Sequence, residues 1–198
     1  MKNGIINVLV VVDMQNDFVY ERGSLYVHKD DVNETKDVVG EVCKLISNGP
    51  WDVVICTRDT HYGNYHDTLE GKKLPVEHCI VGTWGHEIHD DVKEALDANY
   101  QKFDKTTFGH LGFANNDIPY ALDMQNDIVV PDGTRGGELE FHVCGVCTSI
   151  CVLANAVILR AKYSDAKIVI HSEACADVSI EAHEAALMVL RAQQCEVV

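Results

Sequence analysis

The chain has 198 residues, of which 46% are hydrophobic and only four are proline, so it has enough apolar material for one sizeable core. Sixteen basic and 31 acidic side chains give a formal net charge of -15, which argues against binding to nucleic acid or to an anionic membrane surface. We expect one domain over residues 1–198, without a signal peptide or membrane span. The eight cysteines are expected to be reduced, as in a cytoplasmic protein.

Short apolar runs alternate along the chain with segments of helical periodicity. Six strands are predicted, at residues 5–12, 52–56, 100–103, 138–146, 167–171 and 196–198. Helices are predicted at residues 31–47, 86–99, 118–122, 148–163 and 180–194. This order is typical of an α/β fold with three layers, in which helices cover both faces of a doubly wound, mainly parallel sheet of six strands. Ligands bind such sheets beyond the carboxyl ends of the strands.

The word DMQND occurs twice, at residues 13–17 and at residues 123–127. The first copy directly follows the first predicted strand, where active sites lie in this kind of sheet. A buried carboxylate at Asp13 would have a raised pKa unless a cation or hydrogen bonds compensate, although it could also be a simple turn or helix cap. Because the flanking residues of the two copies differ, we interpret the second copy as a coincidence in a polar turn at the opposite edge of the sheet.

Cys151 falls in the first turn of a predicted helix, directly after the strand at residues 138–146. The helix dipole and free N–H groups favour a thiolate at such a position, and the N–H groups of Cys147 and Cys151 could form an oxyanion hole. The alternative is that Cys144, Cys147 and Cys151 are soft metal ligands or include a redox pair.

Lys105 leaves the third predicted strand. If it lies near Asp13 and Cys151, its charge would keep the carboxylate ionised and favour the thiolate. It could instead be an ordinary surface lysine, and Lys102 is close enough in sequence to compete for the role.

Asp59 and His61 follow the second predicted strand, and two residues that are two apart on an extended loop point to the same side. His78 could complete a facial N/O ligand set for Zn²⁺, Fe²⁺ or Mn²⁺. Glu70 could supply a further oxygen ligand, and His66 is the rival ligand. By itself an Asp-x-His pair usually reflects a polar loop.

Five motifs in the order DMQNDF, TRDTH, LPVEHCIVGT, KTTF and GVCTSICVLANA resemble the isochorismatase-like cysteine hydrolases, specifically the nicotinamidase branch. The resemblance covers nearly the whole chain, from residue 6 to about residue 177. It implies the isochorismatase-like hydrolase fold and a catalytic triad of Asp13, Lys105 and Cys151. It also implies an oxyanion hole at Cys147 and Cys151 and a cis peptide bond between Val146 and Cys147.

The resemblance further implies a divalent metal, with Zn²⁺ as the first choice and Fe²⁺ or Mn²⁺ as alternatives, on Asp59, His61 and His78. The implied reaction is the hydrolysis of nicotinamide to nicotinate and ammonia through a thioester on Cys151, in pyridine nucleotide salvage. Asp13 would take the thiol proton and later protonate the ammonia, while the metal would hold the pyridine nitrogen directly or through water.

Phe18 resembles a wall of the ring pocket. Many nicotinamidases carry a stacking aromatic residue before Pro-x-His-Cys, whereas here Leu74 stands before the proline and one extra residue follows it. Tyr62, Tyr65 or Phe108 would have to replace that aromatic ring. A related amidase for another small carboxamide or ureido compound is therefore a second hypothesis, and a non-enzymatic metal-binding module is a third. We expect a small-molecule substrate and a homo-oligomer, with no nucleic acid or membrane as a partner.

Overall fold

A computed structural model describes residues 5–27, 37–96, 100–115, 117–126, 136 and 138–198. Six strands form one sheet in the order β3-β2-β1-β4-β5-β6, and every neighbouring pair is parallel. The strands are β1 (Ile6–Val12), β2 (Val53–Asp59), β3 (Gln101–Lys105), β4 (Leu139–Val146), β5 (Lys167–Ala176) and β6 (Glu196–Val197). The doubly wound α/β sheet is confirmed. Successive strands are added on one side of β1 as far as β3 and on its other side from β4 onward, and such folds place their ligands at this change in strand order.

Seven α-helices are described: α1 (Asn16–Val19), α2 (Val38–Asn48), α3 (Leu69–Lys73), α4 (Asp90–Ala95), α5 (Asp117–Asn126), α6 (Leu153–Lys162) and α7 (Ile180–Ala192). A π-helical turn, Thr148–Val152, precedes α6. The helix α2 packs on β5 and against α4, whereas α6 packs against α7, which also contacts β6. The helices thus form the outer layers around the sheet. None of the described helices combines the length and apolarity that crossing a membrane requires.

The central strand β1 explains the position of the core. Its residues from Val8 to Val12 are at most 1% exposed, because helices cover both faces of the sheet at this strand. The parallel neighbours β2 and β4 flank β1 and bury their own apolar residues beside it. A continuous β-branched run such as this one therefore predicts a central parallel strand correctly.

Two predicted helices begin later than expected, and in each case a side-chain cap explains the boundary. The Asp37 side chain accepts a hydrogen bond from the N–H of Gly40 at the start of α2, and residues 31–36 lie outside the described part of the chain. His89 caps α4 in the same way, because its Nδ1 accepts from the N–H of Asp91. Before it, residues 84–87 form a turn and Ile88 bridges to Gln15, so the helix cannot begin at residue 86.

The second DMQND copy does not lie in a polar turn, because α5 continues through residues 123–126. The apolar face of this helix, formed by Ile118, Ala121 and Leu122, is fully buried, and this packing extends the predicted five-residue helix to ten residues. Residue 127 lies outside the described residues. The placement of this copy at the opposite edge of the sheet stays a prediction.

Candidate active site

The carboxyl ends of four neighbouring strands carry the central side chains of the site. Asp13 directly follows β1, Asp59 ends β2 and Lys105 ends β3, whereas Cys151 lies in the π-helical turn after β4. All four side chains are buried, with at most 7% of their surface exposed. Parallel pairing thus brings together residues that are up to 138 positions apart, since Asp13 and Cys151 lie on adjacent strand ends.

Lys105 lies between the carboxylate of Asp13 and the thiol of Cys151. Its Nζ is 2.7 Å from Oδ2 of Asp13 and 3.4 Å from Sγ of Cys151. The competing Lys102 is exposed on the same strand. The other oxygen of Asp13, Oδ1, accepts a hydrogen bond of 2.7 Å from the hydroxyl of Thr57. The three predicted triad residues therefore form one contiguous buried group.

The backbone at Asp13 turns sharply as β1 ends. Its φ of 51° lies in the left-handed region, which Asp adopts more readily than most residues with a side chain. The N–H of Asp13 still donates to the carbonyl of Thr57, at 3.2 Å. This turn ends the apolar strand at the point where a carboxylate can face Lys105.

Burial and the neighbouring charges set the protonation states of the triad. Burial raises the pKa of Asp13, the Lys105 charge lowers it, and Asp59 raises it, with a raised pKa as the result. Burial and then Asp13 raise the pKa of the Cys151 thiol well above its usual value, against the opposing charge of Lys105. Burial lowers the pKa of Lys105, but Asp13, Cys151 and Asp59 outweigh it, so Lys105 remains an ammonium. The resting site thus holds a neutral thiol, and the raised pKa of Asp13 makes its carboxylate a stronger proton acceptor than that of an ordinary aspartate.

Contacts that the sequence analysis missed hold the cysteine turn in place. Asn155 is fully buried, its Nδ2 donates to the Cys151 carbonyl at 2.9 Å, and its Oδ1 accepts from the N–H of His110 at 2.8 Å. Asn155 thereby joins the turn that contains Cys151 to the loop that follows Lys105. A polar residue four positions after the cysteine, within an apolar helical run, is the signal that could have identified it.

The chain enters this turn through two unusual backbone positions. The peptide bond between Val146 and Cys147 is cis, as the family resemblance implied. Gly145 has a φ of 115°, and a Cβ atom at this position would lie 2.0 Å from the carbonyl oxygen of Val12. Only glycine therefore allows β1 and β4 to approach each other this closely directly before the cysteine turn.

A second cluster next to the triad contains Asp59, His61, Glu70 and His78, and one ligand atom from each lies within 4.8 Å of the others. Oδ2 of Asp59 is 2.9 Å from Nε2 of His61 and 3.3 Å from Nε2 of His78. Oε1 of Glu70 is 3.8 Å and 3.5 Å from the same two nitrogens. Within the described part of the chain, no other group of three or more His, Cys, Asp or Glu residues converges in this way.

The donor chemistry of this cluster fits a divalent metal ion. Two imidazole nitrogens and two carboxylates form a ligand set that suits Zn²⁺, Fe²⁺ or Mn²⁺. Nδ1 of His78 contacts the carbonyl oxygen of Val76 at 2.9 Å, which orients the ring and leaves Nε2 directed toward the other ligands. Burial lowers the pKa of His78, but hydrogen bonds to Asp59 and Glu70 raise it to about 10, so these carboxylates favour a positive charge at this position.

Glu70 and His66 were alternative ligands, and they occupy different places. The carboxylate of Glu70 belongs to the cluster, whereas His66 is exposed and its Nε2 lies 3.2 Å from Oε1 of Glu77. The cysteines Cys144, Cys147 and Cys151 do not converge on this cluster. The geometry of the described residues therefore favours the N/O ligand set over the thiol set.

The four predicted pocket residues differ in their burial and in their contacts with the ligand group. Phe18 is buried, with its ring centroid 5.6 Å from that of His78. Tyr65 is fully buried, packs edge-on against the rings of His61 and His78, and donates its hydroxyl to the carbonyl of Leu74. It therefore supports the two histidines. Leu74 and Phe108 are exposed, and their contact with a substrate stays a prediction.

Asp59 joins the two groups of side chains. While Oδ2 of Asp59 faces the histidines, its Oδ1 is 3.5 Å from Nζ of Lys105. Burial raises the pKa of Asp59, but hydrogen bonds with His61 and His78 and the charge of Lys105 lower it below its usual value. One ionised carboxylate thus faces both the group of His61, Glu70 and His78 and the group of Asp13, Lys105 and Cys151.

Known proteins are similar to this chain in sequence and in fold. A family model described as the isochorismatase domain matches residues 7–198. A protein of Bacillus subtilis (strain 168), named as the uncharacterized isochorismatase family protein PncA, is 31% identical over 184 residues, which cover 90% of this chain and 91% of that protein. The nicotinamidase of Saccharomyces cerevisiae is 28% identical over 184 residues, covering 77% and 80%. The crystal structure of nicotinamidase/pyrazinamidase PncA from Bacillus subtilis has a TM-score of 0.68 at 26% identity and covers 98% of this chain and 100% of that one.

Proposed function

This chain belongs to the isochorismatase family, and on that premise we propose that it is a metal-dependent nicotinamidase that hydrolyses nicotinamide to nicotinate and ammonia. The observation that carries the proposal is the position of Lys105, whose Nζ contacts Asp13 and Cys151 while it also lies 3.5 Å from the metal-cluster residue Asp59. A nucleophile and a proton acceptor are the parts that amide hydrolysis requires, and the neighbouring ligand group of Asp59, His61, Glu70 and His78 can orient a substrate at the same edge of the sheet.

In the first half of the reaction, Asp13 accepts the proton of the Cys151 thiol as the sulfur attacks the carboxamide carbon. The N–H groups of Cys147 and Cys151, at the start of the helical turn, hold the oxyanion that forms. The C–N bond then breaks, and Asp13 gives its proton to the departing nitrogen, which leaves as ammonia. Lys105 keeps its charge throughout and stabilises both the carboxylate and the developing thiolate.

In the second half, Asp13 takes a proton from a water molecule that attacks the thioester carbon. The C–S bond breaks, Asp13 returns its proton to the sulfur of Cys151, and the acid leaves as nicotinate after its carboxyl group loses a proton to solvent. A divalent metal ion, with Zn²⁺ as the first choice, would bind to Asp59, His61, Glu70 and His78 and supply a Lewis acid for the pyridine nitrogen. Tyr65 and Phe18 pack against the histidines and keep these ligands in a fixed orientation.

One observation favours a second candidate, an amidase for another small carboxamide or ureido compound. Leu74, at the position where many nicotinamidases stack an aromatic residue, has 39% of its surface exposed, and the nearby Tyr65 ring is fully occupied in packing against the histidines. An aliphatic wall offers dispersion contact but no ring stacking, so it discriminates less strongly for an aromatic substrate.

Ammonia release provides the test of these proposals. Protein loaded with Zn²⁺ and protein treated with a chelator are each given nicotinamide and a panel of aliphatic carboxamides and ureido compounds. We expect release from nicotinamide by the loaded protein only. Faster release from an aliphatic compound would support the second candidate, and no release from any compound would support the non-enzymatic metal-binding module. A single domain, a cytoplasmic location and a homo-oligomer stay predictions from the sequence.

A further inference from the structure

Gln15 lies two residues after Asp13, and its side-chain amide bonds both backbone polar groups of Asp59. Its Nε2 donates to the Asp59 carbonyl at 2.8 Å, and its Oε1 accepts from the Asp59 N–H at 2.7 Å. The same Nε2 also donates to the carbonyl of His86 at 2.9 Å. The side chain is fully buried, so each of these bonds replaces contact with water.

These bonds substitute for strand pairing at the place where pairing with β1 ends. The register of β1 with β2 runs as far as Val12 and Thr57, and β1 then turns away at Asp13. Two residues later in β2, Asp59 still has β3 on one side, where it pairs with Lys105. On its other side, the amide of Gln15 takes both the N–H and the C=O of Asp59, as a neighbouring strand would.

The position of Asp59 matters because its two carboxylate oxygens face different groups. Oδ2 faces His61 and His78, and Oδ1 faces Lys105. A shift or rotation of the Asp59 backbone would therefore move one oxygen out of the metal cluster and the other away from the triad. Holding the backbone at both its polar atoms is an efficient way to prevent such a shift.

We propose that Gln15 is a positioning residue that fixes Asp59 between the metal cluster and Lys105. The inference rests on the proposed function, since it assumes that Asp59 is a metal ligand. The hydrogen bonds of Gln15 end on the backbone of Asp59 and not on its carboxylate. Its effect on metal binding would therefore pass through the position of that backbone. The next residue, Thr60, contacts the same histidine that Gln15 binds, because its hydroxyl lies 3.0 Å from Nε2 of His86.

The chain offers a matched control in the neighbouring residue Asn16. Asn16 is also buried, and its Nδ2 donates to the carbonyl of Trp84 at 2.8 Å, two residues from the His86 carbonyl that Gln15 uses. A substitution at Asn16 therefore disturbs the same loop without touching Asp59. The apolar replacements Gln15→Met and Asn16→Leu keep the approximate shape of each side chain and remove its hydrogen bonds.

The experiment measures the Zn²⁺ dissociation constant of the purified full-length chain by competition with a chromophoric chelator, together with the melting temperature of each metal-free variant. We expect Gln15→Met to weaken Zn²⁺ binding about 10- to 100-fold, which is the usual effect of losing a residue that orients a metal ligand. We expect Asn16→Leu to remain within about twofold of the wild type. If Gln15→Met does not fold, Gln15→Asn serves, because its shorter amide cannot reach both backbone atoms of Asp59.

Wild-type affinity in the Gln15 variant would overturn the inference, and so would an equal loss in Asn16→Leu, since that result would indicate general loop packing. The proposed function fails separately. If the wild type binds Zn²⁺ and releases ammonia but Gln15→Met does so equally well, only the role of Gln15 is wrong. If the wild type neither binds Zn²⁺ nor releases ammonia, both are wrong.

Discussion

Lys105 is the residue on which the electrostatics of the site depend, because it is the cation that faces Asp13, Asp59 and Cys151 together. Removing one partner of a buried ion pair leaves the other charge without compensation, which costs about 3–5 kcal/mol. We therefore expect Lys105→Met to lower the free energy of unfolding by roughly this amount at pH 7. Urea denaturation followed by circular dichroism measures the effect.

The control is Lys102→Met, three residues earlier on the same strand and exposed, for which we expect a change within about 0.5 kcal/mol. Wild-type stability in Lys105→Met would mean that Asp13 is already neutral in the folded protein at pH 7. Asp13 could then not take the thiol proton, and the proposed first step of the reaction would have to be revised.

Cys151 is the proposed nucleophile, and its loss should remove turnover while leaving the fold intact. We expect Cys151→Ala to lower ammonia release by on the order of 10⁴-fold, because the Cys151 sulfur is the atom that forms the thioester in the proposed reaction. Cys43→Ala is the control, since Cys43 lies on α2, away from the site. Steady-state kinetics on protein of matched circular dichroism gives the comparison, and substantial residual release by Cys151→Ala would reject the assignment.

At the scale of elements, the approach of β4 to β1 depends on Gly145. Its φ of 115° disfavours any residue with a side chain, and an added Cβ would meet the Val12 carbonyl at 2.0 Å. We expect Gly145→Ala to destabilise the protein by roughly 1–3 kcal/mol or more and to lower activity, because β1 and β4 carry Asp13 and Cys151.

Gly63→Ala provides the comparison, since a Cβ at that position meets nothing within 4 Å. We expect it to leave the urea midpoint and the rate of ammonia release close to those of the wild type. Equal effects at Gly145 and Gly63 would show that the contact between β1 and β4 is not what requires glycine.

A pair of histidines joins β4 to β5 and should make stability depend on pH. Nδ1 of His142 is 2.8 Å from Nε2 of His171, and burial followed by the proximity of His142 lowers the pKa of His171 from 6.5 to about 4. Between about pH 6.5 and pH 4, His171 therefore binds a proton in the unfolded state but not in the folded state. Stability contributed by this pair is present above pH 6.5 and is lost as the pH falls through that window.

The substitution His171→Gln keeps a hydrogen-bonding partner for His142 but cannot titrate. We expect the loss of unfolding free energy between pH 7 and pH 4.5 to be smaller in His171→Gln than in the wild type, when both are measured by urea denaturation in the same buffers. Parallel curves for the two proteins would show that the pKa of His171 is the same in the folded and the unfolded state.

The strands show what sequence patterns can and cannot predict. The apolar run of β1 is long enough to identify the strand within one residue, but β2 and β3 each extend past the predicted end into polar residues. Those residues pair with each other: Arg58 binds Asp104 through two hydrogen bonds, and Asp59 lies opposite Lys105. A pattern that equates strands with apolar residues ends them too early where partner strands or an active site satisfy the polar side chains.

At the scale of the whole molecule, the same distinction separates the parts of the site. The position of Asp13, Lys105 and Cys151 at one edge of the sheet could be predicted because each lies at the end of a recognisable strand, whereas their role as a triad was implied by the family resemblance and stays a prediction. The long-range contacts of Gln15 and Asn155 could not be predicted. Gln15 binds residues that are 44 and 71 positions away, and Asn155 binds a residue that is 45 positions away. These distances in space depend on tertiary packing. Sequence periodicity describes residues within one helix or strand, so it cannot predict contacts that form only when the chain folds.

Metal binding should stabilise the whole fold and not only the site, because the ligands come from distant segments. Asp59 ends β2 and His61 follows it, Glu70 lies in α3, and His78 lies in the loop before α4. A ligand that binds only the folded state adds about 2.7 kcal/mol at a free concentration 100 times its dissociation constant. We expect Zn²⁺ to raise the melting temperature of the wild type and a chelator to reverse the increase. His61→Ala should show no such response, whereas His66→Ala, which alters an exposed histidine outside the cluster, should respond like the wild type. Calorimetry in the presence and absence of Zn²⁺ measures all three proteins, and a full response in His61→Ala would place the metal elsewhere in the chain.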